Sequence, residues 1–400
     1  MGWRRFLALW QRRTAATGTP QSQGSETAPM RLLVVANAMI PTLQLCLLTP
    51  LAKLIDSGEC FVDFLTEQQL KDRFGKSLRS DEAWAWIEER WRTANPTHAF
   101  FCRYSGPHAE SMRTLAKANG VPSLYCIDDD LLHVPQELGK NKFEFHNHPL
   151  RLQAVRYLLD NVDLVYCSNS RLERRLREIG IAGNLHAGQI FCAGEPISPA
   201  ELRPVRTIGY MGFDHAHDFE IALPGLVNVL HRFPDVRFEL FGKIPKPAIL
   251  DKFGDRIEVL PAIPNYEEFL KVLAARHWDV GICPLAPTDF NRAKNVNKWI
   301  EYTAVGTAVV ATKGMIYDEC CANGCGLLVG TSEWEDALTT LVADPQRRFE
   351  QVQTAQHNLI MTYSVERLRE QVLAMLAMAK THSEQGKSMR RSTTVSELVF

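Results

Sequence analysis

The chain is 400 residues long, with a formal net charge of −1, 46% hydrophobic and 23% charged residues. That length exceeds what one hydrophobic core usually organises, so two domains are expected; the near-neutral balance argues against a nucleic-acid binder, which carries a basic excess. The 10 cysteines are scattered, with Cys102, Cys126, Cys167 and Cys283 in or beside apolar runs, which is the pattern of buried thiols in a reducing, cytoplasmic setting.

Residues 1–30 read as a flexible basic leader. Arg4, Arg5, Arg12 and Arg13 flank Trp3, Phe6, Leu7, Leu9 and Trp10, a short basic amphipathic segment that suits either a frayed leader or peripheral contact with the inner face of a membrane. Its apolar run is too short to span a bilayer. Arg31–Ala36 then reads as a buried parallel strand, followed by an apolar-periodic segment over 44–55 and a second strand over 60–65. A charged helix over 78–93, a strand over 99–102, a helix over 110–118 and a strand over 122–127 continue the rhythm of a doubly wound α/β domain. In such sheets ligands sit beyond the carboxyl ends of the strands. Arg103 stands at one such end, and Asp128, Asp129 and Asp130 stand at another. The acids read either as a group that orients an acceptor hydroxyl or ligates a metal, or as an Asp-rich turn. Residues 140–149, with Lys140, Lys142, His146 and His148, read as a mobile polar loop.

A helix over 150–159, a strand over 162–167 and a helix over 171–179 capped by the run Ser168-Asn169-Ser170 complete the first unit. Three prolines between Gly194 and Pro204 mark the linker. A second unit starts with the strand 207–212, ending in Gly212, where a missing side chain lets backbone approach a ligand. His215, His217 and Asp218 follow and suit phosphate or sugar-hydroxyl contacts, a metal, or a helix cap. Strands over 236–241 (ending at Gly242), 257–260 and 280–284 come next, with a helix over 266–276. The stretch Phe290–Thr312 is the most informative: a polar basic loop, a short helix stopped by Gly306, and a buried strand. Lys298 and Glu301 share a face of that helix, and Arg292, Lys294 and Asn297 stand before or at its start. Free N–H groups and the helix dipole favour an anion there. Cations at the helix start with a carboxylate one turn deeper suit a nucleotide diphosphate, whose phosphates meet the cations and whose ribose meets the acid. A solvated Lys–Glu pair is the plainer alternative. A strand over 326–329, a helix over 332–343, terminal helices over 346–380 and a disordered tail over 381–400 finish the chain.

Several runs resemble the GT-B glycosyltransferases, and within them the large retaining family known as group 1 or family 4. They are Gly209-Tyr210-Met211-Gly212, Phe238-Glu239-Leu240-Phe241-Gly242, Val280-Gly281-Ile282-Cys283-Pro284-Leu285 and Lys298-Trp299-Ile300-Glu301-Tyr302-Thr303-Ala304-Val305-Gly306-Thr307-Ala308-Val309-Val310. The likeness implies two Rossmann-like domains facing across a cleft: an acceptor domain over 31–200 and a nucleotide-sugar domain over 205–345, with the terminal helices crossing back to the first. It implies transfer of a sugar from a nucleotide-diphosphate donor to a glycan or lipid-linked acceptor in surface polysaccharide or glycoconjugate assembly. No cofactor and no metal are implied. Glu301 occupies the place of the closing acid of the family's Glu-x7-Glu motif, which holds the ribose. The opening acid is replaced by Ala293, and the usual Arg–Lys pair after the first strand of the second domain is absent. Arg292, Lys294 or Lys298 would then neutralise the leaving diphosphate, with Asp128 and Asp130 serving the acceptor. A nucleotide-sugar 2-epimerase and a non-catalytic nucleotide-sugar-binding module share the architecture and are the competing readings; Ala293 favours the module.

Overall fold

The computed structural model describes residues 28–212 and 216–397. The basic leader as far as Thr27 lies outside the described residues, as does His215. Within the described residues, twelve strands form two six-stranded sheets, and every pairing is parallel. The first comprises β1 (Met30–Ala36), β2 (Cys60–Thr66), β3 (His98–Cys102), β4 (Ser123–Ile127), β5 (Leu164–Cys167) and β6 (Leu185–Ala187), in the order β2-β1-β3-β4-β5-β6. The second comprises β7 (Thr207–Gly212), β8 (Arg237–Gly242), β9 (Ile257–Pro261), β10 (Val280–Cys283), β11 (Ala308–Thr312) and β12 (Leu327–Val329), in the order β12-β11-β10-β7-β8-β9. The central strands are near-continuous apolar runs because helices cover both faces, as parallel pairing requires. Leu32, Leu33, Val34, Val35 and Ala36 are all buried, with alternate residues feeding two different cores.

Strand order reverses between β1 and β3 in the first sheet and between β7 and β10 in the second. These switch points open crevices at the strands' carboxyl ends. Asn37 and Arg103 stand at the first, Gly212 and Leu285 at the second. The two crevices face one another, because the loop after β10 docks on the first domain: Phe290 and Ala293 belong to the same apolar cluster as Ile127, Leu172 and Leu176.

The chain crosses between the domains twice. The first crossing is the irregular segment before β7, where Gly306 packs closely: a side-chain carbon there would meet the Pro199 carbonyl oxygen at 2.9 Å, and its φ is +77°. Both facts require glycine at the stop of the preceding helix. After the helix Pro345–Thr362, the second crossing leads into the helix Val365–Glu397. Leu368, Val372, Met375, Leu376 and Ala379 of that helix pack on the first sheet beside Leu32, Val34 and Phe100. Arg369 Nε donates to the Pro50 carbonyl at 2.8 Å, which fixes the helix at its start.

Some segments depart from the sequence reading. Residues expected as a mobile polar loop include a helix, Lys140–His146, with Lys140 and Glu144 one turn apart at 3.7 Å. The last helix runs on to Glu397, so described residues of the expected disordered tail are helical. The helix Glu67–Phe74 was unexpected, although Thr66 and Gln69 form a reciprocal capping box at its start. The short helix Asp289–Arg292 interrupts the expected basic loop, capped by Thr288. Among the described residues, no helix is long and apolar enough to cross a membrane.

Candidate active site

The helix Asn297–Ala304 carries the candidate site. It starts at Val296, which offers no side-chain cap, so its first-turn N–H groups are left for another acceptor. Lys298 and Glu301 line a cavity of about 310 Å³ together with Asn297, Gly212 and Gly242. Apolar walls come from Phe241, Ile263, Pro264 and Phe269, and Pro41 and Leu45 of the first domain close the remaining side. Lys298 Nζ sits 5.6 Å from the centre of the Tyr210 ring, a cation–π contact that steadies it. At the back wall, Gly242 has φ +129°, and a Cβ there would lie 2.0 Å from the Gly212 carbonyl oxygen. No other residue fits where β7 and β8 converge.

Glu301 is 9% exposed. Burial pushes its carboxyl up to about 7, against the opposing pull of a hydrogen bond from Tyr266 and of the Lys298 charge. Such an acid is ready to accept hydroxyl donors that enter the cavity, since each hydrogen bond replaces lost hydration. Tyr266 was not singled out from the sequence. It opens the helix Tyr266–Ala275 after edge strand β9, and only the sheet order brings it to Glu301.

Lys294 lies in the next part of the cleft. Its Nζ is 5.2 Å from the Phe290 ring, and burial lowers its ammonium to about 8 even with Asp129 and Asp218 nearby. The loop bearing it is tied to the first domain through Asn169 and Asn295. Asn169 Oδ1 accepts from the N–H groups of Arg171 and Leu172 at 3.1 and 2.9 Å, capping its own helix. The Asn169 Nδ2 donates to the carbonyls of Ala293 and Lys294 at 3.1 and 3.0 Å. From the other side of the loop, Asn295 Nδ2 reaches the Asp128 carbonyl at 3.4 Å.

Asp128 sits at the floor of the first domain's crevice. Thr42 Oγ1 donates to its Oδ2 at 3.0 Å, and Arg103 forms an ion pair with it and with Asp129, the latter at 2.8 Å. Burial raises the Asp128 carboxyl to about 6 despite Arg103 beside it. Arg103 adopts φ +49°, an uncommon left-handed conformation for a non-glycine residue. Thr42 was missed in the sequence because its only signal is its place one turn before Cys46 in a helix.

The remaining candidates occupy different positions. Asp130 is 1% exposed and engaged by His133 Nδ1 at 3.0 Å and Arg175 Nε at 3.2 Å, besides accepting from the Leu132 N–H. It holds the turn after β4 and is separate from the Asp128–Arg103 group. Asp218 is fully buried and accepts from the Ala286 N–H at 2.8 Å and Asn291 Nδ2 at 2.9 Å; it fixes the loop after β10. His217 Nε2 stands 3.3 Å from the same carboxylate. Arg292 is exposed, donates to the Gly314 carbonyl at 3.2 Å, and lines a cavity that excludes Lys298 and Glu301. Ala293 is 1% exposed, and its methyl lies in the apolar contact between the loop and the first domain. A carboxylate at that position would be desolvated there.

No family model matches the chain, and no curated relative matches it. Solved structures do. HepE of Anabaena, solved in complex with UDP and glucose, superposes with a TM-score of 0.61 over 87% of this chain and 99% of its own, at 14% identity. Sucrose-phosphate synthase of Thermosynechococcus elongatus gives 0.58 over 92% and 100%, at 13% identity. The chain has the GT-B fold. A UDP-forming trehalose-phosphate synthase of Burkholderia xenovorans matches this GT-B chain similarly, at 0.55 over 87% and 99% with 12% identity. Within the GT-B frame, the cavity at Lys298 and Glu301 belongs to the second domain, and the Asp128–Arg103 group faces it from the first.

Proposed function

We propose that the protein is a glycosyltransferase that moves a sugar from a nucleotide-diphosphate donor to a glycan or lipid-linked acceptor, with retention at the anomeric carbon. The observation that carries this reading is the cavity where Lys298, the uncapped helix start and Glu301 converge beneath apolar walls. A planar base suits the walls at Ile263, Pro264 and Phe269, the ribose diol suits Glu301, and the diphosphate suits Lys298 and the helix N–H groups.

In the proposed step the acceptor oxygen bonds to the anomeric carbon as the bond to the β-phosphate oxygen breaks. The electron pair leaves on the diphosphate, and the acceptor proton passes to the departing phosphate oxygen on the same face. Lys298 and Lys294 stabilise the charge that builds there, where fixed cations in a water-poor site act most strongly. Asp128, held by Arg103 and Thr42, orients the acceptor. The reading needs no cofactor besides the donor. The closing arrangement of Asn169 and the 293–295 loop brings acceptor and donor groups together, which lowers the entropic part of the barrier.

Structural likeness to HepE, whose structure contains UDP and glucose, and to two enzymes named as sugar-phosphate synthases is consistent with this chemistry. The substitution at Ala293 leaves a second reading, a nucleotide-sugar-binding module without turnover. Release of nucleoside diphosphate from a panel of nucleotide sugars, with and without acceptors, separates the two. Acceptor-dependent release is the expected result; tight binding without release across a broad panel would move the assignment to the binding module.

A further inference from the structure

Three cysteine sulfurs meet beneath the floor of the first domain's crevice. Cys46, Cys102 and Cys126 come from three separate elements: the π-helical turn Gln44–Leu48, the last residue of β3 and the next-to-last residue of β4. Parallel register sets Cys102 directly beside Cys126, so both side chains leave the sheet on one face, where the π-helical turn brings Cys46 to them. All three residues are 0% exposed. Cys46 Sγ lies 3.9 Å from Cys126 Sγ, and the three sulfurs lie within 4.8 Å of one another. Among the described residues, no other group of three His, Cys, Asp or Glu side chains gathers its ligand atoms in this way.

The surroundings are apolar: Leu47, Phe100 and Leu124 belong to the same core. A single buried thiol packs as a small hydrophobe, and Cys60 fills that role in the same core. Three sulfurs converging on one point from three elements form a ligand set instead. Metal–sulfur bonds of about 2.3 Å place trigonal sulfurs about 4.0 Å apart, so the group closes on a cation by moving less than about 1 Å.

We propose that Cys46, Cys102 and Cys126 bind one thiophilic cation in a structural site. Sulfur ligands within an apolar shell suit Cu(I) and Zn(II). Structural zinc takes four ligands, and the acid closest along the chain, Asp128, is already held by Arg103 and Thr42. A three-sulfur site therefore fits Cu(I) better. Loading exchanges thiol protons for the cation, and the protons leave to solvent with no change of oxidation state. Cys46 lies one turn after Thr42, Cys102 directly precedes Arg103, and Cys126 lies two residues before Asp128. A cation joining the three sulfurs ties together the elements that carry the Asp128–Arg103 group. This role goes beyond the transferase reading and does not depend on it.

Anaerobic titration of the reduced protein with Cu(I) against a competing chelator, and in parallel with Zn2+, tests the site. One equivalent of Cu(I) per chain is expected, with X-ray absorption showing three sulfur neighbours and Tm rising on loading. One equivalent of Zn2+ held more tightly on the same three sulfurs identifies zinc as the occupant instead. Cys46→Ala and Cys126→Ala are expected to weaken the bound cation at least tenfold, whereas Cys60→Ala, which also removes a buried thiol, leaves its affinity within twofold. Absence of stoichiometric binding of either cation by wild-type protein overturns the proposal. So does a bound cation with fewer than three sulfur neighbours, or one that both cluster variants retain at full affinity. Absent nucleotide release counts against the transferase reading alone, whatever the titration shows.

Discussion

In the proposed reaction Lys298 and Glu301 carry most of the chemical weight. Lys298→Ala and Glu301→Ala are each expected to lower kcat/KM by at least tenfold, about 1.4 kcal/mol or more of transition-state stabilisation. Steady-state kinetics check this; Lys298→Ala turnover within twofold of wild type would remove the residue from the phosphate site. The acid–base balance of the site predicts a pH profile. Glu301, raised to about 7 by burial, is ionised only above that value. Lys294, lowered to about 8 by burial, is cationic only below that value. Affinity for a nucleotide sugar, whose diphosphate does not titrate in this range, should therefore peak between about pH 7 and 8 and fall on both sides. Calorimetry across that window and beyond both of its edges measures it, and a flat profile would mean that neither group contacts the donor. Glu301 was visible in the sequence from spacing and resemblance. Its partner Tyr266 was not, because the two residues come from elements 35 positions apart joined by sheet order alone.

At the scale of elements, the alternation of strands and helices was legible because parallel strands buried on both faces form unbroken apolar runs. Short or weakly apolar pieces escaped. β6 has only 3 residues, too few to establish a period, and the helix Lys140–His146 has no fully buried residue, so it lacks the apolar stripe by which helices are recognised. The run Ser168-Asn169-Ser170 was legible as a cap; that Asn169 supplies it, and its bonds to the opposite domain, were not, since the latter depend on how the domains meet. Asn169→Asp separates these roles. An aspartate keeps the cap on Arg171 and Leu172 but loses the amide donor to Ala293 and Lys294. Donor KM is expected to rise severalfold with Tm nearly unchanged, and an unchanged KM would limit Asn169 to capping. The crossing helix offers a stability test. Leu376→Ala removes a side chain that is 2% exposed, and a loss of about 2–5 kcal/mol is expected in chemical denaturation of the first domain. A loss below about 1 kcal/mol would show that the helix is not an integral part of that core.

For the whole molecule, the two sheets place the Lys298–Glu301 cavity and the Asp128–Arg103 group, the proposed donor and acceptor sites, on the two sides of one cleft, and the loop around Ala293 joins those sides. The buried Ala293 methyl, the Asn169 amide and the Asn295 contact with Asp128 hold the domains in this arrangement. In the proposed function this cleft receives a nucleotide diphosphate with the ribose at Glu301 and the phosphates at Lys298. A crystal structure of the protein with a nucleoside diphosphate decides this placement. Ribose hydroxyls are expected within hydrogen-bond distance of the Glu301 carboxylate, with a phosphate oxygen within reach of Lys298 Nζ. A nucleotide bound elsewhere, or one lying in this cavity with its phosphates turned away from Lys298, would contradict it.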